Sequence, residues 1–112
     1  MSDPEEIVHQ QLQAYNNQDI DTYCDTFDPE VELFELPANQ RTIKGRRALR
    51  AHYGKRFQQN PDLRAEVTQR LLFGNFVIYF ERLYGLTGGA AVDLVAIYQV
   101  EAGLIRRLWF IR

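Results

Sequence analysis

The amino-acid sequence predicts an α+β fold in which three helices cover one face of a curved antiparallel sheet. In the first half of the chain, apolar residues recur at helical spacing in three segments, which Asp, Asn or Gly residues bound. From Leu63 onward the spacing changes to a period of two, and glycine-containing turns separate the segments. These observations indicate helices packed on an antiparallel meander, with residues 1–112 in a single domain.

The first two helices are short and have clear boundaries in the sequence. The first begins after Asp3, a favourable N-cap residue, with Pro4 at the first helical position. A polar run at residues 16–19 ends it. The second is predicted over residues 20–27, where an Asp-Pro pair stops it.

A hairpin and a third helix follow. Residues 31–36 predict a strand, and a Pro-Ala-Asn-Gln turn leads to a short strand at residues 41–43 that pairs with it. Gly45 then precedes a third helix predicted over residues 46–59, which an Asn-Pro pair ends.

Four long strands complete the predicted sheet. Gly74, Gly88 and Gly103 lie in the turns between them, where glycine adopts positive φ at little cost. The strands are predicted at Arg64–Phe73, Phe76–Tyr84, Ala90–Val100 and Leu104–Ile111.

Composition argues against several classes of protein. Hydrophobic residues make up 46% of the chain and charged residues 25%, and the net charge of -2 gives no general attraction to nucleic acid or to anionic membranes. A single cysteine, Cys24, excludes an intrachain disulfide and is expected to be a buried, inert thiol. Because the residues from Met1 onward are acidic and no apolar run reaches about 20 residues, we expect a cytoplasmic protein without signal peptide or membrane span.

The meander is apolar on both faces, so one face needs a partner other than the helices. In the last strand Leu108 and Phe110 point to one side, and Trp109 and Ile111 to the other. A second copy of the same sheet is the simplest cover, which predicts a homodimer with Trp109 at the interface. The alternative is that strong curvature lets long Arg and Tyr side chains cover that face.

Three motifs together resemble the nuclear transport factor two-like superfamily, in its ketosteroid isomerase and SnoaL-like polyketide cyclase branch. The segment 15–21, with Phe27 and the strand at 31–35, is similar to the first helices and strand of that family. The segment 45–53 resembles its third helix, and residues 98–100 resemble its penultimate strand. The resemblance covers nearly the whole chain and implies a cone-shaped, cystatin-like α+β barrel around an apolar pocket.

Glu35 is the candidate general base. The resemblance places it where ketosteroid isomerases carry their proton-transferring aspartate. Strand alternation puts it beside Val31 and Leu33, where loss of solvation would raise its pKa. The opposite orientation of the strand would point Phe34 inward and leave Glu35 as an exposed edge charge.

The oxyanion donors of the isomerases are missing from the matching positions. Those enzymes use a tyrosine and a protonated aspartic acid, and the corresponding residues are Gln11 and Ala96. This departure counts against steroid isomerisation. Gln11 retains an amide donor, and Tyr53 retains a phenol where the resemblance implies one.

We therefore expect a SnoaL-like protein that binds a small, apolar, cyclic molecule, with cofactor-independent proton transfer as its activity if it is an enzyme. Glu35 would then be the base, and Tyr53 or Gln11 the donor. The ligand-binding residues are predicted to be Leu12, Tyr15, Leu33, Phe57, Leu94, Ala96, Tyr98, Leu108 and Phe110.

Two alternatives remain open. A non-catalytic association module would have a cavity filled by side chains, whereas water activation on an epoxide or ester would need more polar groups around Glu35. The sequence contains two histidines, His9 and His52, neither spaced as a metal ligand pair, and no glycine-rich phosphate loop. We expect no metal, no cofactor and no nucleic-acid partner.

Overall fold

Three helices and six strands follow one another in the computed structural model, which describes residues 3–112. Met1 and Ser2, part of the segment used to argue against a signal peptide, lie outside the described residues. The elements are α1 (Pro4–Asn17), α2 (Ile20–Asp25), β1 (Phe27–Leu36), β2 (Gln40–Lys44), α3 (Arg46–Gln59), β3 (Arg64–Phe73), β4 (Phe76–Tyr84), β5 (Val92–Glu101) and β6 (Leu104–Ile111).

The strands form one curved, unclosed sheet in the order β2-β1-β6-β5-β4-β3. The predicted α+β fold and the antiparallel meander β3-β4-β5-β6 are confirmed. The sheet as a whole is mixed, because β1 pairs in parallel with β6, where Leu33 lies opposite Leu108 and Glu35 opposite Phe110. Between β1 and β6 the chain passes through β2, α3, β3, β4 and β5.

The sequence placed most element boundaries correctly, and the largest difference lies between α2 and β1. The helix predicted over residues 20–27 ends at Asp25, and the strand predicted from Val31 begins at Phe27. Phe27 is fully buried and pairs with Ile105, whose backbone N–H donates to the Thr26 carbonyl at 3.0 Å. Tertiary pairing with β6 therefore overrides the local helical pattern.

The polar segment that ends α1 attaches this helix to the sheet. The Asn16 side chain forms two hydrogen bonds to the backbone of Ala65, donating to its carbonyl at 3.0 Å and accepting from its N–H at 2.7 Å. Gln18 donates to the carbonyls of Asn60 and Leu63. The asparagine thus continues the hydrogen bonding of β3 as a neighbouring strand would.

Helices α1, α2 and α3 pack against one another through an aromatic cluster. The Tyr23 ring lies 5.0 Å from Tyr53 and 5.6 Å from Phe57, and the Tyr15 ring lies 5.3 Å from Phe57. Such tilted and edge-on contacts add to the free energy of burying these large side chains. Among residues 3–112, none of the helices is long and apolar enough to cross a bilayer.

Candidate functional site

Two neighbouring spaces lie between the helices and the concave face of the sheet. The first, here called the inner cavity, has a volume of about 20 Å³, enough for about one water molecule. The second, the outer chamber, has a volume of about 250 Å³ and opens beside α3. Both are lined by Tyr53, Phe110 and Arg112, which form the wall between them.

Glu35 lies in the outer chamber, on the same side of β1 as Leu33. Its carboxylate accepts hydrogen bonds from Arg112, from Nε at 3.0 Å and from Nη2 at 3.2 Å. The Glu35 side chain is 32% exposed and the Arg112 side chain 38% exposed. Glu35 is therefore a half-buried member of a bidentate ion pair, and its oxygens already have donors.

Gln11 and Tyr53, the predicted donors, line the inner cavity. Gln11 is 4% exposed, and its Oε1 has no hydrogen-bond partner among the described residues. Burial raises the pKa of Tyr53. Tyr53 also lines the outer chamber, where Glu35 lies, whereas Gln11 does not. Glu35 and Gln11 therefore lie in different spaces, and Tyr53 is the predicted catalytic residue that lines both.

A second carboxyl group, Glu81 on β4, lies in the inner cavity. It is 8% exposed, and the Tyr98 hydroxyl donates to its Oε2 at 3.0 Å. Burial raises the pKa of Glu81 to about 7, although the Tyr98 hydrogen bond and the positive charge of Arg112 act in the opposite direction. This carboxyl group can therefore give or take a proton near neutral pH.

Most of the predicted ligand-binding residues line one of the two spaces. Leu12, Tyr15, Leu94, Tyr98 and Leu108 line the inner cavity. Leu33 lines the outer chamber, and Phe110 lines both.

Two of the predicted ligand-binding residues line neither of these two spaces. Phe57 belongs to the aromatic cluster, and Ala96 is fully buried in β5 opposite Phe110 and Tyr79. Side chains thus fill most of the concave face. The space that remains is much smaller than the single pocket, lined by all nine predicted residues, that the sequence predicts.

Glu81 is not among the residues predicted from the sequence, although the sequence carries a signal for it. In β4 the buried positions are Val77, Tyr79, Glu81 and Leu83, which alternate with more exposed residues. A carboxylate at an apolar position of a period-two pattern is seldom buried without a partner. The carboxylate at a buried position of β4 therefore marks Glu81 as a candidate functional group.

Other titratable groups offer less chemistry. Cys24 is buried as expected, and burial raises the pKa of its thiol. His52 lies at the rim of the outer chamber, where burial and then the charges of Arg56 and Arg112 lower its pKa. Within residues 3–112, no group of three or more His, Cys, Asp or Glu side chains is arranged to hold a metal ion.

Comparison with known proteins identifies the family. The family model described as the SnoaL-like domain matches residues 8–108, nearly the whole chain. The chain belongs to the SnoaL-like family. A search of the curated proteins gives no match to this sequence.

Solved structures of SnoaL-like and related proteins share the fold. An uncharacterized cystatin fold protein from Novosphingobium aromaticivorans is 24% identical, with a TM-score of 0.88 and all of both chains covered. A proposed polyketide cyclase from Sinorhizobium meliloti is 21% identical, with a TM-score of 0.80 over 94% of this chain and 93% of the other. A proposed ketosteroid isomerase from Kribbella flavida is 18% identical, with a TM-score of 0.80 over 96% and 76%.

These likenesses show a nuclear transport factor two-like α+β fold, as the sequence predicted. At such identities they extend to the fold alone, since unrelated chemistries occur on one fold. Function must therefore be argued from the two spaces and their side chains.

Proposed function

We propose that this SnoaL-like protein binds a small cyclic molecule whose ring lies in the outer chamber, and that the carbonyl end of this molecule reaches between Tyr53, Phe110 and Arg112 to the inner cavity, where a carboxylate transfers a proton next to the carbonyl group. The observation that carries the proposal is Glu81, a nearly buried carboxyl group with a pKa of about 7, which Tyr98 holds in the inner cavity. A base works best when its pKa lies near the operating pH. The volume of the outer chamber, about 250 Å³, lies just below the ~300 Å³ at which ligand pockets usually begin, so the ligand has one or two rings.

Two carboxylates compete for the role of base. Glu35, the residue suggested by the family resemblance, is neutralised by the Arg112 guanidinium at 3.0 Å and is one-third exposed. Glu81 has a single neutral donor, the Tyr98 hydroxyl, and lines the same inner cavity as Gln11 and Tyr53. These features favour Glu81 as the base and Tyr53 or Gln11 as donors to the developing oxyanion.

The reaction would move one proton without a cofactor. The Glu81 carboxylate removes a proton from the carbon next to a ketone, and the electron pair of that C–H bond forms the enolate, whose oxygen accepts a hydrogen bond from Tyr53 or Gln11. Return of the proton to another carbon completes an isomerisation. Attack of the enolate carbon on a second carbonyl group in the same molecule would form a C–C bond and an alkoxide, and transfer of the proton from Glu81 to that alkoxide would complete a cyclisation.

Exchange of hydrogen for deuterium in 2-tetralone, a bicyclic ketone, tests this assignment. Proton NMR in D₂O would follow loss of the signals next to the carbonyl, with the unmodified protein and with Glu81→Gln and Glu35→Gln. We expect Glu81→Gln to slow the catalysed exchange by roughly 10²- to 10⁴-fold, and Glu35→Gln to retain most of it. The reverse result would make Glu35 the base, and the absence of catalysed exchange by the unmodified protein would refute proton transfer.

The second candidate function is an association module, which the convex face of the sheet supports. Four half-buried apolar residues lie side by side across four neighbouring strands, in the order Phe34, Trp109, Ile97 and Ile78. The rings of Phe34 and Trp109 stack with centroids 5.6 Å apart. We propose that this apolar stripe packs on the same stripe of a second copy, as an isologous dimer interface requires.

A further inference from the structure

Arg56 on α3 is a cation without an acidic partner. Its side chain lines the inner cavity, and its Nε is buried without a hydrogen-bond acceptor. No carboxylate of residues 3–112 lies within the 4.0 Å of an ion pair with it. Since buried donors in native proteins nearly always have a partner, the Arg56 guanidinium is a group that a bound acceptor would complete.

Arg112 supplies a second guanidinium at the wall between the inner cavity and the outer chamber. It lies over the Phe110 ring, 4.5 Å from the centroid, and donates to Glu35 through Nε and Nη2. A guanidinium has five N–H groups, so Nη1 of Arg112 keeps donors for a further acceptor.

Together with Lys55, these two arginines outnumber the carboxylates around them, three cations against Glu35 and Glu81. Glu35 neutralises Arg112, and among the described residues that line the inner cavity only Glu81 carries a carboxyl group. Burial lowers the pKa of His52, and the positive charges of Arg56 and Arg112 at the mouth lower it further. Lys55 lies beside Arg56 in a surface groove next to the same mouth.

We propose that Arg56 and Arg112 bind the carboxylate of a small cyclic carboxylic acid, whose ring packs in the outer chamber against Leu33 and Phe110. This inference rests on the proposed function, which places the ring of the ligand in the outer chamber. It adds the chemical class of that ligand. Arginine suits this role because its planar N–H groups match the oxygens of a carboxylate. A partly desolvated site strengthens such hydrogen bonds.

Two matched probes, 2-naphthoate and the neutral 2-naphthamide, test the inference without any turnover. Their dissociation constants would be measured by ¹⁵N–¹H NMR titration of the unmodified protein and of the variants Arg56→Gln and Arg50→Gln. Arg50 is a matched control, since it lies on the same helix but is half-exposed and pairs with Asp21 at 2.8 Å.

We expect 2-naphthoate to bind at least about tenfold more tightly than 2-naphthamide, as a charge-assisted hydrogen bond predicts. Arg56→Gln should weaken 2-naphthoate binding by about tenfold and leave 2-naphthamide binding unchanged, whereas Arg50→Gln should change neither.

Equal affinity of the two probes for the unmodified protein would overturn the carboxylate site and leave the proposed function standing. Failure of both probes to bind would overturn both proposals. If Arg56→Gln does not fold, Arg56→Lys retains the positive charge, and the comparison of the two probes on the unmodified protein still decides the question.

Discussion

The buried carboxyl group of Glu81 should make the free energy of unfolding fall as the pH rises. The pKa of Glu81 is raised from 4.5 to about 7 in the folded chain, so the folded state holds the proton more tightly than the unfolded state does. The stabilising contribution of this site is therefore fully present below pH 4.5, where both states are protonated at Glu81. Stability is lost as the pH rises through 7, because the folded state then contains a buried negative charge.

The size of the effect follows from the shift. The two pKa values differ by 7 − 4.5, or about 2.5 pKa units, and each unit corresponds to about 1.36 kcal/mol. The Glu81 carboxyl group should therefore cost about 3 kcal/mol between pH 4.5 and pH 8. This is a large share of the roughly 5–15 kcal/mol by which domains of this kind are stable.

Urea unfolding of the unmodified protein, Glu81→Gln and Glu66→Gln over that pH range would measure it. Glu66 is an exposed carboxylate on the neighbouring strand β3, so its removal should leave the pH dependence as it is. Glu81→Gln removes the titrating group and should flatten the profile by about 3 kcal/mol. A profile of Glu81→Gln that parallels that of the unmodified protein would show that Glu81 ionises as it does in water, which would also remove the basis for its role as a base.

Two further substitutions test the architecture. Asn16→Ala removes both side-chain hydrogen bonds from α1 to β3 and should lower the free energy of unfolding by about 1–3 kcal/mol. Asn17→Ala, at an exposed neighbouring position, should change the free energy of unfolding little. Equal effects of the two substitutions would contradict the strand-like role of Asn16. Trp109→Glu should convert the proposed dimer to monomers, which analytical ultracentrifugation would detect. Leu72→Glu, at an exposed position away from the apolar stripe, should leave the dimer intact. If the unmodified protein is a monomer, the proposed interface is refuted.

Local patterns predicted the elements of the fold, because helix caps, turn glycines and apolar periodicity act over a few residues. They could not predict that β1 joins β6 in parallel, since 77 residues separate Glu35 from its ion-pair partner Arg112. The resemblance implied a site at the face of β1 that carries Glu35, and Glu35 lines the outer chamber. It gave no indication of Arg112, which neutralises that carboxylate.

The inner cavity was harder to predict for the same reason. Gln11 lies on the apolar stripe of α1, and Glu81 interrupts an apolar alternation in β4, so each position was visible separately. Their convergence with Arg56 depends on how three elements pack. The volume left between them depends on side-chain packing, which periodicity does not describe.

The parallel pairing of β1 with β6 also has a consequence for the order in which the chain can fold. On a ribosome, α1, α2 and the β1-β2 hairpin emerge early, but β1 has no second neighbour until residues 104–111 are made. Contacts of such high sequence separation are expected to form slowly. Until then one edge of β1 has unpaired backbone hydrogen-bonding groups, which can pair with other chains. This is the edge at which Leu33 and Phe34 later lie opposite Leu108 and Trp109. Loss of the last strand would thus leave the first hairpin without an anchor and turn a folding intermediate into an aggregation-prone end state.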